Sequence, residues 1–186
     1  MSTGYKILEK EGLYFLTFQI VGWVDIFTRK EYRDIAIESL KYCQQHKGLN
    51  LFAYVIMSNH IHLLAQSEYG KLSDIIRDFK SFTSKRFQEV VSSNIESRKD
   101  WMKMVFAYHG KYKKKQDNQV WTHENHAELI YSQKFIEQKL NYIHENPVRS
   151  GIVTKVEDYL YSSARNYADM ESVIDVIKLI VRWKAY

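Results

Sequence analysis

The chain has 186 residues, 45% of them hydrophobic and 26% charged, which is the balance of a folded globular protein rather than a disordered one. Its one cysteine, Cys43, excludes an internal disulfide framework and a multi-cysteine zinc site, and one proline with seven glycines excludes collagen-like and linker-rich architectures. Lysine and arginine total 27 against 22 aspartates and glutamates, and the resulting net charge of +5 permits a polyanionic partner without requiring one.

No internal repeat or low-complexity segment is visible. The N-terminal MSTGYKILEK has no apolar run behind a basic start, and no apolar stretch reaches membrane-spanning length. The expectation is a single domain over residues 1–186, cytoplasmic and without a membrane partner. Residues 13–21, LYFLTFQIV, read as a buried strand. Thr28 with Glu31 has the spacing of a capping box. Tyr32, Ile35, Ala36, Leu40 and Cys43 then recur at helical spacing, which predicts a helix over 29–46 ended by Gly48. Residues 51–57 and 60–66 read as a strand pair joined by a turn at Ser58-Asn59. Ser73 is placed to cap a helix over 74–90, with Ile75, Ile76, Phe79, Phe82 and Phe87 inward.

Residues 92–120, with Gly110 and the run KYKKKQDNQ, read as a long irregular connection. Ser132 caps a predicted helix over 132–145 with Ile136, Leu140 and Ile143 as its apolar stripe. That helix should stop at Asn146-Pro147, because proline lacks a donor and disfavours helix in the residue before it. The later stretch VIDVIKLIVRW reads as a closing helix or strand. Strand, helix, strand, strand, helix supplies most of a ferredoxin-like α+β sandwich.

Several constellations can carry chemistry. His60 and His62 are two apart on a strand, so they share a face with Cα atoms ~6.5 Å apart. That pattern suits a shared metal ion, and equally a pair of histidines on a solvated face. Tyr142 and Asn146 are four apart on a helix, ~6 Å along its axis. Tyrosine can act as a nucleophile and the asparagine carbonyl is a hard ligand for magnesium or manganese, although a half-buried tyrosine and a helix-ending asparagine are ordinary structural residues. Lys111, Lys113, Lys114 and Lys115, interleaved with Tyr112 and near Trp101, Tyr108 and Trp121, suit single-stranded nucleic acid or a solvated loop. Arg77 and Lys80 add positive charge on the helix before them. His123-Glu124-Asn125-His126 is not HExxH, because Ala127 stands where the second histidine should be.

The segment Met57-Ser58-Asn59-His60-Ile61-His62-Leu63-Leu64 resembles the His-hydrophobic-His strand of the HUH single-strand transposases. Tyr142-Ile143-His144-Glu145-Asn146-Pro147-Val148-Arg149-Ser150-Gly151 resembles the segment that follows in their REP-associated tyrosine transposase branch, and Leu160-Tyr161-Ser162-Ser163-Ala164 is similar to its double-serine motif. Order and spacing agree from about residue 5 to 168, leaving 169–186 as an extension. Position 58 is proline in many members and serine here, which loosens the turn.

The resemblance implies a ferredoxin-like α+β fold with a central antiparallel sheet and helices packed on it. It implies His60, His62 and Asn146 as ligands of a divalent metal, magnesium or manganese, and Tyr142 as nucleophile. The implied reaction is cleavage and strand transfer of single-stranded hairpin DNA through a 5′-phosphotyrosine, with Gln138, Lys139 and Glu145 near enough to assist. Lys111, Lys113, Lys114, Lys115, Tyr112, Arg77 and Lys80 would contact the DNA. Monomer and homodimer both remain compatible with it. The alternative is a domesticated module that binds hairpin DNA without cleaving it.

Overall fold

The computed structural model describes residues 7–111 and 117–180. Among these, the strands are β1 (Tyr14–Gln19), β2 (Leu49–Ile56), β3 (His60–Ser67) and β4 (Glu128–Leu129). The helices are α1 (Lys30–Lys47), α2 (Leu72–Ser92), α3 (Lys99–Lys111), α4 (Gln133–Arg149) and the short α5 (Ala164–Tyr167). The strands form one sheet in the order β2-β3-β1-β4 with every pairing antiparallel. This is the α+β arrangement of the expected ferredoxin-like sandwich.

The sheet separates two chemistries because side chains alternate along each strand. Leu16 pairs with Leu63 and Phe18 with Ile61 on one face. Leu40 and Cys43 of α1 and Ile75, Ile76 and Phe79 of α2 close over that face, and the Phe18 and Phe79 rings lie 5.7 Å apart. On the other face Thr17 pairs with His62 and Gln19 with His60, and α4 lies across them. The outer edge of β2 is covered rather than left open to another chain. Ile56 N–H donates to Tyr161 O (3.0 Å), Ser163 N–H to Tyr54 O (2.9 Å) and Ile177 N–H to Leu51 O (2.9 Å).

The structure corrects several local expectations. Thr28 does not cap α1: it closes a 3-10 turn over 26–28, and its hydroxyl donates to Asp25 O at 2.8 Å. Gly48 does end α1, in the left-handed conformation (φ 68°). Ser73 lies inside α2, which starts at Leu72, and the entry turn is satisfied by Ser67 Oγ accepting from Lys71 N–H at 2.9 Å. Phe82 is 53% exposed, and Thr83 and Val91 take the inner face instead. The expected irregular connection contains α3, whose Met102, Phe106 and Gly110 form a buried stripe four residues apart.

Ser132 caps α4 as expected, accepting from Phe135 N–H at 3.2 Å. That helix, however, runs through Pro147 to Arg149. A proline near the C-terminus forfeits only its own donor, and the freed chain end is closed by Ser150 N–H to Asn146 O (3.0 Å) and Gly151 N–H to Val148 O (2.9 Å). Residues 169–180 contain neither helix nor strand and run against β2 through Ile177, with Ile174 in the core. Among the described residues no helix is long and apolar enough to cross a membrane.

Candidate active site

β3 carries His60 and His62 on the face that α4 covers. Their rings lie 4.7 Å apart between centroids, and the His62 ring is 5.2 Å from that of Tyr142 on α4. Phe15 of β1 stacks on His62 at 5.2 Å and meets Tyr142 edge-on at 5.9 Å, so one apolar ring fixes the spacing of the other two. The helix, not the chain, brings residue 142 to residue 62.

Each imidazole is held by its Nδ1. His60 Nδ1 donates to Asn59 Oδ1 at 2.7 Å, which leaves its Nε2 as a lone pair. His62 Nδ1 lies 2.9 Å from Thr17 Oγ1, and its Nε2 is buried with no partner. Burial lowers the His60 pKa, and it pushes that of His62 down to about 3, helped by His60 and by the Lys139 cation. Both rings are neutral at pH 7, the state a metal ligand requires. A buried Nε2 without a partner, opposite a hydrogen-bonded Nδ1, is the arrangement of a metal-binding histidine.

Asn146 lies one turn beyond Tyr142 on α4, half-buried, with its Nδ2 buried and unpartnered. Among the described residues no group of three or more His, Cys, Asp or Glu side chains is placed to hold a metal ion. The donor set on offer is two imidazoles with an amide one turn from the tyrosine, and it fits a divalent cation.

Tyr142 is 38% exposed, and its hydroxyl makes no hydrogen bond among the described residues, so it is open to a substrate. Cations flank it on its own helix. Lys139, three residues earlier, is anchored by Glu128 (Nζ–Oε2 2.8 Å) and lies 4.2 Å from the Phe15 centroid. The Arg149 guanidinium sits 5.9 Å from the Tyr142 centroid and is paired with Glu145. Gln138 is exposed.

The expected DNA-contact residues are dispersed. Lys113, Lys114, Lys115 and Tyr112 lie outside the described residues, while Lys111 is exposed at the end of α3. Arg77 is exposed on α2 and paired with Asp74 (2.6 Å) and Asp78 (3.1 Å). Lys80 turns inward: its ammonium donates to Thr122 O (3.0 Å) and Asn125 Oδ1 (2.5 Å) and lies 4.9 Å from the Phe18 centroid. Burial pushes its pKa down to about 7. His123 is exposed, and His126 lies 3.7 Å from Glu124 Oε2, away from the histidine pair in sequence and facing a carboxylate of its own loop.

The double serine is structural. Ser163 Oγ accepts from Tyr54 N–H at 2.9 Å and contacts His144 Nε2 at 2.9 Å, tying α4 to β2. The looser turn expected from Ser58 is pinned from outside, since Ser58 O accepts from Phe27 N–H at 2.9 Å.

Thr17 and Gln19 were not singled out by sequence. Their signal was there: two polar residues two apart inside the apolar run LYFLTFQIV, which on a strand share a face. Gln19 Nε2 is buried and unpartnered opposite His60.

Comparison with known proteins gives the family. A Haemophilus influenzae protein named as a REP-associated tyrosine transposase is 24% identical over 163 residues, spanning 88% of this chain and 85% of that protein. A solved REP-associated tyrosine transposase bound to a REP hairpin superposes with a TM-score of 0.63 at 18% identity, over 100% of this chain and 99% of that one, and so shares the fold. The family model for IS200-like transposases matches residues 24–146, well over half the chain and a span that includes the histidine pair, Tyr142 and Asn146. On that match the chain belongs to the IS200-like transposase family.

Proposed function

We propose that the chain cleaves and rejoins single-stranded DNA beside a hairpin, with Tyr142 as nucleophile and His60, His62 and Asn146 as ligands of a divalent cation. The observation that carries this reading is the approach of Tyr142 to His62, 5.2 Å between rings contributed by α4 and β3. A cation held there would supply Lewis-acid polarisation of a phosphate oxygen.

The chain's own groups do the rest. Tyr142 Oη attacks the scissile phosphorus. The new P–Oη bond replaces the P–O3′ bond, the 3′ oxygen leaves with a proton, and the tyrosine proton passes to solvent or to a neighbouring base. One phosphodiester bond is lost and one is formed, so a second 3′-hydroxyl can reverse the step without an external energy source. Lys139 and Arg149 flank the position where the phosphate charge would sit. Phe15 and the helix wall exclude water from one side of the tyrosine. Lys111 and Arg77 remain exposed for backbone contacts that weaken with salt.

The test is a labelled single-stranded hairpin oligonucleotide incubated with manganese and run on a denaturing gel. Wild type should give a covalent protein–DNA band. Tyr142→Phe should give none while still binding the hairpin, and chelator should abolish the band. Hairpin binding without any adduct, with either manganese or magnesium, would refute the enzyme and leave a binding module.

A further inference from the structure

Trp23 is the residue the fold does not explain. It follows Gly22 in a tight turn, and both are left-handed, at φ 60° for the glycine and 57° for the tryptophan. Glycine takes this region freely; a bulky L residue does so against a steric clash, and such strain gathers at functional sites. Gly22 is required by packing as well, since a Cβ there would meet Val105 Cγ1 of α3 at 2.8 Å. Trp23 has no such reason. Val21 and Val24 on either side are buried, yet Trp23 is 70% exposed. Its ring makes no aromatic or cation contact among the described residues.

The turn is laced to the candidate active site. Asn59 Nδ2 donates to Trp23 O at 3.4 Å, and the same side chain accepts from His60 Nδ1 at 2.7 Å. Ile20 N–H donates to Asn59 O at 3.0 Å and Phe27 N–H to Ser58 O at 2.9 Å, so both ends of the turn are fixed to the loop that starts β3. On α3, which packs against this turn, Trp101 is 44% and Met104 63% exposed. A strained, solvent-facing indole one hydrogen-bonded residue from His60 is a stacking surface.

We infer that Trp23 stacks on an unpaired base in the single-stranded DNA that flanks the scissile phosphate. This rests on the proposed function. Stacking suits the indole because every base presents a π face, and it would hold the strand in line with Tyr142 without reading a particular sequence. Trp101 and Met104 would carry the strand further along α3.

The experiment compares wild type with Trp23→Gly, Trp23→Asn and Trp23→Phe on two labelled hairpins, one with an unpaired flank and one blunt, by fluorescence anisotropy alongside thermal melts. Trp23→Gly should lose affinity for the flanked hairpin by about tenfold. It should bind the blunt hairpin as wild type does. Its melting temperature should hold or rise, because glycine and asparagine tolerate positive φ. Trp23→Asn should follow the glycine variant, and Trp23→Phe should keep most of the affinity. Unchanged affinity for the flanked hairpin, an equal loss on both hairpins, or a lower melting temperature would each overturn the inference. A wild type that binds and forms the adduct while Trp23→Gly matches it sinks this inference alone; a wild type that binds neither hairpin sinks the proposed function with it.

Discussion

Thr17→Val removes one oxygen from the wall of the candidate site and leaves its shape almost unchanged. Valine has nearly the same volume, is β-branched and suits a central strand, so no cavity or propensity cost is introduced. What is lost is the 2.9 Å contact between Oγ1 and His62 Nδ1. The His62 ring is 4% exposed, so water cannot replace that partner. A buried polar nitrogen left unsatisfied costs about 1–3 kcal/mol, which for a chain of this size lowers the melting temperature by about 6 °C at the middle of that range.

The larger effect falls on the metal. Loss of the hydrogen bond that orients a ligating histidine weakens metal affinity by about 10–100-fold. At manganese about 100 times the wild-type Kd, wild type should gain about 2.7 kcal/mol of stability, and a variant bound about thirtyfold more weakly should gain about 0.9 kcal/mol. Calorimetric titration of manganese and melts with and without the ion measure both quantities. Thr17→Ser should restore most of each, since it keeps the hydroxyl. If Thr17→Val binds manganese as tightly as wild type, Thr17 does not orient His62 and the assignment of His62 as a ligand loses its support.

Further outcomes follow from other buried groups. His144 is half-buried against Ser163, and desolvation pushes its pKa down to about 4, below the 6.5 of an unfolded histidine. The unfolded chain then binds more protons between these values, so stability is full above pH 6.5 and drains as pH falls toward 4. The loss from this residue is about 3 kcal/mol, and acid melts of His144→Gln should show a shallower decline. Glu96 is buried and accepts from Tyr32 Oη (3.1 Å) and Arg98 N–H (3.0 Å), with Arg29 3.2 Å away. Burial would raise its carboxyl pKa, but the hydrogen bonds from Arg98 and Tyr32 outweigh it and hold it low. Glu96→Ala should cost about 3 kcal/mol in urea unfolding, the low end for a broken buried pair, because both arginine side chains are 33% exposed and reach water.

The order of elements was legible because local patterns carried it. Apolar runs rich in β-branched and aromatic residues marked β1 and the β2–β3 pair, Gly48 marked the end of α1, and Ser132 marked the start of α4. His60-Ile61-His62 was readable as two side chains on one face because the strand period is two. α3 was missed because Gly110 and the lysines after it carry the signal of a loop, and only the packing of Met102 and Phe106 overrides that signal. Pro147 misled in the same way: its rule holds for helix interiors, and its cost is small where the next donors close the end.

The partners of the site were beyond local reading. The contact of Tyr142 with His62 spans 80 positions and exists because α4 crosses one face of the sheet. Thr17 became the support of His62 through the antiparallel register of β1 against β3, which sequence periodicity cannot set by itself. Lys80 looked like a surface cation and was turned inward by the loop at 122–125. Trp23 gave no sequence signal at all, since its backbone strain and exposure arise only when the turn is fastened to Asn59. Short-range spacing determined which candidate site residues the chain offers. Long-range packing decided which residues face one another, because burial and hydrogen bonding act between groups that the chain itself keeps far apart.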